Sequence, residues 1–352
     1  MPAKTKVASF GTWQSAISAD RIVAKTVSFG QVQLDGTFTY WLESRPHENG
    51  RSVLVRYHPD TGCEDMTPAP FNVRSRVHEY GGGAYTLSIA DHRLYFVNFA
   101  DQGVYCMQPG QQPQLLFQQS DQRFADLLVN DRYRCLYAVC EDHTEVGEPR
   151  NSIVQISLDT GKMQHLDIPS ADFYSSLALN HDMNRLAWLS WDHPDMPWDN
   201  TKLWYSDLNS HGEIIESRHI AGGDDESVLQ PVWGQDSTLY FISDRCEWWN
   251  LYASNDLEST ESHCVYPMAA EFGVPQWVFG LSTYCLLGDG RIVCSYQSEG
   301  VGHFACLNVK AQVLDSFDWP YTSYEYLRCQ GHRAVFIAGS PTHSMAVMEW
   351  DD

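Results

Sequence analysis

The sequence predicts an all-β chain folded as a seven-bladed β-propeller of four-stranded antiparallel blades. A strand-like segment recurs seven times: TFTYWLES from Thr37, RLYFVNFA from Arg93, CLYAVCED from Cys135, RLAWLSWD from Arg185, TLYFISDR from Thr238, RIVCSYQS from Arg291 and RAVFIAGS from Arg333. A second segment follows each one, beginning at Leu54, Val104, Ile153, Leu203, Leu251, Phe304 and Ala346. Composition agrees. Aromatic residues make up 13% of the 352 residues, Trp, Tyr, Val and Thr are spread evenly, and blocks of helix formers are scarce.

The remaining strands complete each unit. An apolar stretch such as AYTLSIAD (from Ala84) or YSSLALNHD (from Tyr174) precedes the first segment, and one such as QPQLLFQ or KMQHLDI follows the second. Turn signals such as Asp-Thr-Gly separate them. Four short strands per unit of roughly 50 residues is the signature of a propeller blade. The ring is expected over residues 31–352, with residues 1–30 as an N-terminal arm.

Lettering the strands A to D outward from the axis assigns the recurrent segments to B and C. The B–C and D–A loops then share one face. The long B–C loops, RPHENGRS, EDHTEVGEPRNS and WDHPDMPWDNT, belong to blades 1, 3 and 4. The long D–A connections are RVHEYGGGAY into blade 2, AGGDDESVLQPVW into blade 5 and AEFGVPQWVFGLSTY into blade 6. Decoration of one face marks where a ligand or partner docks.

Lys plus Arg number 23 against 45 Asp plus Glu, a net charge of −22. Nucleic acid and anionic membranes are therefore excluded as partners. No apolar run approaches the ~20 residues of a membrane span, and the start MPAKTKVASFGTW lacks the apolar centre of a signal peptide. A cytoplasmic location is expected. The ten cysteines form no C-x-x-C pair and several sit in apolar runs, so they read as free thiols buried as small hydrophobes.

No catalytic residue, metal ligand set or cofactor site is expected. There is no G-x-S-x-G, P-loop or H-E-x-x-H. His78 reads as a loop histidine holding backbone groups, and Gly81 to Gly83 as a tight turn at the start of an inner strand. Trp248 and Trp249 read as one ring on the rim and one between blades, and Asp224, Asp225 and Glu226 as a solvated turn. The charges Glu141, Asp142, His143, Glu145, Glu148 and Arg150 crowd one rim loop beyond what solubility requires, which points to contact with a ligand or domain.

RVHEYGGGAY, EDH…GEPRNSIVQISLDTG, WDHPDMPWDNTKLW, PVWGQDSTLYFISDRCEWWNLY and EFGVPQWVFGLSTY resemble the N-terminal propeller of prolyl oligopeptidase-family serine peptidases. The nearest branch is the acylaminoacyl-peptidase and dipeptidyl-aminopeptidase-like group. In that family an α/β-hydrolase domain carrying Ser, Asp and His follows the propeller, which caps the active site and admits short peptides. This chain ends at MAVMEWDD, without a counterpart of the triad.

The resemblance implies a non-catalytic gating and substrate-selecting domain, inactive alone, whose partners are the hydrolase domain of the same parent protein and short peptides. The contact candidates are His78, Glu79, Glu141, His143, Glu145, Glu148, Arg150, Trp191, Asp192, Trp248 and Trp277. Glu145 or Glu148 would pair with a peptide's free amine. The alternative is a stand-alone propeller that binds a protein or small ligand on the same rim.

Overall fold

The middle strands of the blades are buried on both faces, and their sequences show it. Cys135–Asp142 (CLYAVCED) and Arg185–Trp191 (RLAWLSW) are almost continuously apolar and buried, whereas the outer strand Gln114–Phe117 is half exposed. In the computed structural model, which describes residues 7–13, 15–19, 26–223, 225–257 and 261–352, these strands form seven sheets. Six have four strands and the last has three. Each is an antiparallel meander in sequence order, spanning 28–65, 85–117, 122–165, 173–222, 228–264, 284–317 and 323–351. Among the described residues, helix amounts to one 3-10 turn, Pro46–Glu48, and the single residue Ala19. Of the expected arm, residues 1–6, 14 and 20–25 lie outside the described residues.

The core is divided among the seams between blades. Each of seven apolar clusters joins two neighbours. One links Tyr40 and Leu54 of blade 1 to Tyr85 and Phe96 of blade 2. The ring closes where Val32, Trp41, Val53 and Val55 of blade 1 meet Val335 and Ile337 of blade 7. A sheet faces a neighbour on each side, so no blade buries its apolar surface alone and the ring is cooperative.

Polar bonds between inner strands add to the seams. The inner strand Ser28–Asp35 bulges at Gln31, which takes a positive φ of 49°, and the strand Val228–Trp233 bulges at Gln230, at 47°. Each glutamine reaches the next blade in the same way. Gln31 Nε2 donates to Tyr85 O (2.8 Å), its Oε1 accepts from Ala84 N (3.0 Å), and Tyr85 Oη donates to Gln31 O (2.5 Å). Gln230 Nε2 donates to Tyr284 O (2.8 Å), its Oε1 accepts from Thr283 N (2.8 Å), and Tyr284 Oη donates to Gln230 O (2.7 Å). Gln230→Ala strands two buried backbone groups, Thr283 N–H and Tyr284 O, and Gln31→Ala strands the Ala84 N–H, since Tyr85 O also accepts from Gln33 Nε2 (2.9 Å). Each is expected to cost about 2 kcal/mol, read from urea midpoints at constant m.

The cysteine expectation holds only in part. Cys285 and Cys329 form a disulfide between the inner strands of blades 6 and 7, with Cα atoms 5.5 Å apart. They lie 44 residues apart in sequence, close to one blade period, which places equivalent inner-strand positions side by side. The other eight are free; Cys135, Cys140, Cys294 and Cys306 are buried in the core as expected, whereas Cys63 and Cys246 are exposed.

Candidate functional site

Loops of the decorated face gather an aromatic cleft of about 230 Å³. His78 and Tyr80 come from the connection into blade 2, Trp191 and Trp198 from blade 4, and Trp277 and Phe279 from the connection into blade 6. Phe173 opens the inner strand Phe173–Leu179 and stacks on Trp191 at 5.3 Å. Trp277 lies 4.5 Å from Trp198 and 5.6 Å from Tyr80, between ring centroids. Tyr80 is 62% exposed and Trp277 50%. Large apolar groups exposed side by side in a concave site mark a surface that binds something.

His78 belongs to the wall of this cleft, which corrects its reading as a brace for backbone groups. Its ring packs against Phe279 (5.0 Å), Phe173 (5.2 Å) and Trp191 (5.9 Å). Burial lowers its pKa against the pull of the Glu141 carboxylate, so the imidazole stays neutral at neutral pH. Its backbone N–H, rather than its side chain, is the group that holds the loop.

That N–H donates to Glu141 Oε1 (3.0 Å). Glu141, only 3% exposed, also takes His143 Nε2 (2.8 Å) and Arg123 Nη1 (3.3 Å) on Oε2. Arg123 Nη1 reaches Glu79 Oε1 (2.9 Å) and Arg76 O (3.2 Å), and its hydrogen bond holds the Glu79 carboxyl below the usual range. Four of the candidate residues, His78, Glu79, Glu141 and His143, thus form one cluster. Arg123, which organises it, carried no sequence signal.

The other candidates are dispersed. Trp191 and Trp277 line the cleft with His78. Glu145 and Arg150 pair with each other at 2.7 Å, both well exposed, and Glu148 is exposed. Asp192 caps the N–H of Asp172 (3.0 Å) and lies 3.9 Å from Lys202 Nζ. Trp248 is on the rim, and Trp249 packs on the blade 5–6 core. Asp224 lies outside the described residues, while Glu226 is tied to Arg245 (2.7 Å) and Ser243 Oγ (2.5 Å).

The glycine run does more than turn the chain. Gly82 pairs in parallel with Phe279, and Phe279 N donates to Gly81 O (3.0 Å). Blades 2 and 6 stand on opposite sides of the ring, so these loops meet over the axis. A Cβ on Gly82 would lie 2.4 Å from Phe279 O, and one on Gly83 2.5 Å from Asp126 N. Only glycine permits that approach.

Below the crossing, Asp126 of the blade 3 inner strand takes the N–H of Leu177 (2.9 Å). Burial pushes its pKa up to about 6, against the pull of Arg328. A folded pKa above the unfolded ~3.9 means that the native state holds this proton longer. The associated stability is present below pH ~4 and is lost as pH rises through about 6. Asp126→Asn is expected to remove this slope. The wild-type urea midpoint should fall relative to the variant between those pH values and run parallel above them.

Among the described residues, Asp289, His332 and Asp352 on the other face have metal-ligand spacing, but Arg291 already pairs with both carboxylates.

No family model matches the sequence, and no curated protein does. Solved structures do. A Mycobacterium tuberculosis puromycin-hydrolyzing peptidase is 30% identical over 97% of this chain and 54% of its own, with a TM-score of 0.89. A puromycin hydrolase is 29% identical over 99% of this chain and 55% of its own, with a TM-score of 0.90. A prolyl endopeptidase at 11% identity and a TM-score of 0.68 shares the fold. The chain spans about half the length of these proteins. Over nearly its whole length the chain is homologous to the propeller part of prolyl-oligopeptidase-family peptidases.

Proposed function

We propose that this propeller is the gating and substrate-selecting part of a serine peptidase of the acylaminoacyl-peptidase and dipeptidyl-aminopeptidase-like branch. Its decorated face turns towards an α/β-hydrolase domain of the same protein. Short peptides or aminoacyl amides are the substrates, and the chain contributes no nucleophile.

The observation that carries this reading is the aromatic cleft. It lies where the long loops converge, beside the Glu141–Arg123–Glu79 cluster, on a chain homologous throughout to puromycin hydrolases. An apolar cleft edged by a held carboxylate suits a small substrate with a bulky side chain and a free amine. Glu79 fits the amine better than Glu145 or Glu148, because it is exposed next to Tyr80 of the cleft, whereas neither of the others adjoins a lining residue; an incoming amine would share its carboxylate with Arg123.

The test measures hydrolysis of puromycin and aminoacyl nitroanilides by the chain alone and joined to the hydrolase domain encoded with it. The chain alone is expected to be inactive and the joined protein active. In the joined protein, Trp277→Ala and Tyr80→Ala are expected to raise KM about tenfold with kcat little changed, the signature of lost binding. Cleavage by the pure chain alone, absence of an encoded hydrolase domain, or unchanged kinetics in both variants would overturn the reading.

A further inference from the structure

Beneath the loop crossing, the axis holds two adjoining cavities of about 450 and 420 Å³. They share Asp126, Leu128, Leu177, Gly280, Arg328 and Cys329. Gly83 and Gly280 form the end next to the crossing, while Leu34 and Ile89 stand near the A–B turns of the opposite face.

Arg328, on the inner strand Ser323–Gln330, carries the argument. Its guanidinium donates to Leu327 O (2.9 Å), Gly280 O (3.0 Å) and Ser282 Oγ. All three acceptors are neutral. Among the described residues, no carboxylate oxygen lies within 4.0 Å of it. Asp126 shares the cavity, but its carboxylate is bonded to the Leu177 N–H instead.

A guanidinium stays charged at any ordinary pH, and withdrawing one from bulk water without a counter-ion costs several kcal/mol. Burial works against the charged form of Arg328 here. Leu34, Leu127, Leu128 and Leu177 line the wall together with Gln31, Gln33, Thr86 and Gln330, and the half-buried Arg328 faces the open cavity, where an anion can reach it.

We propose that the axis cavity binds a small monocarboxylate with a short apolar tail, held by the Arg328 guanidinium and admitted from the face opposite the aromatic cleft. The planar fork of Arg matches a carboxylate, and the leucines suit two or three carbons. Asp126 disfavours a dianion such as phosphate through like-charge repulsion. This site is independent of the peptidase reading, since it lies on the far side of the crossing.

The experiment titrates 13C-labelled propionate into the full chain at pH 7 and constant ionic strength, read by saturation-transfer NMR and calorimetry. One saturable site is expected. Arg328→Met should abolish it and Arg328→Lys should weaken it at least tenfold. Asp126→Asn should tighten it several-fold, and it keeps the test decisive if the Arg328 variants fail to fold. Inorganic phosphate should compete poorly. No saturable site in the wild-type chain, equal affinity in Arg328→Met, no gain in Asp126→Asn, or tighter binding of phosphate than of propionate would each overturn the proposal.

Discussion

Gly82→Ala is expected to destabilise the ring by about 3–5 kcal/mol, at the upper end for a single methyl group. Two costs combine. At a φ of 95° an L side chain is strained by about 1–2 kcal/mol. The new Cβ would also lie 2.4 Å from Phe279 O and 2.6 Å from Phe279 N, both backbone atoms that no side-chain rotation can move. Gly50→Ala is the control, because Gly50 also has a positive φ, 74°, and a methyl group there would meet nothing within 4 Å. It should cost only the conformational part. The difference in urea midpoints between the two variants isolates the cost of separating the loops over the axis. A Gly82→Ala variant no less stable than Gly50→Ala would show that the two backbones part freely.

Glu141→Ala is expected to cost about 3 kcal/mol, the range found when one member of a buried ionic group is removed. The change leaves the His78 N–H without its acceptor, removes one of the three acceptors of Arg123 Nη1, and releases His143. Glu145→Ala, which breaks the exposed pair with Arg150, should stay within about 0.5 kcal/mol. Both lie near the same rim loop, so equal effects would mean that the Glu141 cluster is not the brace of the connection into blade 2. Faster proteolysis at residues 76–83 in Glu141→Ala alone would locate the loss.

The blade plan was legible because it is local. RLYFV and RLAWLSW declare strands by their own apolar pattern, and their repetition every roughly 50 residues declares the ring. Gln31 and Gln230 carry no such local sign. Both are ordinary polar residues within apolar stretches, and their meaning depends on a tyrosine 54 residues ahead. The cysteine reading failed for the same reason: Cys285 and Cys329 look like their neighbours until two inner strands stand side by side.

For the site, the sequence by itself determined which loops are long and that they share a face, since a meander alternates its turns between two edges. It also determined the candidates His78, Glu79, Glu141 and His143, because charge and glycine cluster visibly in those stretches. Only the tertiary structure decided that these four form one network through Arg123 and that Trp277 faces Trp198 and Tyr80. It alone showed that RVHEYGGGAY meets Phe279 over the axis, and that Arg328 lies in a cavity with, among the described residues, no carboxylate in contact with it. The physical reason is that strand pattern depends on neighbours in the chain, whereas pairing of charges and contact of backbones depend on which blades face one another across the ring.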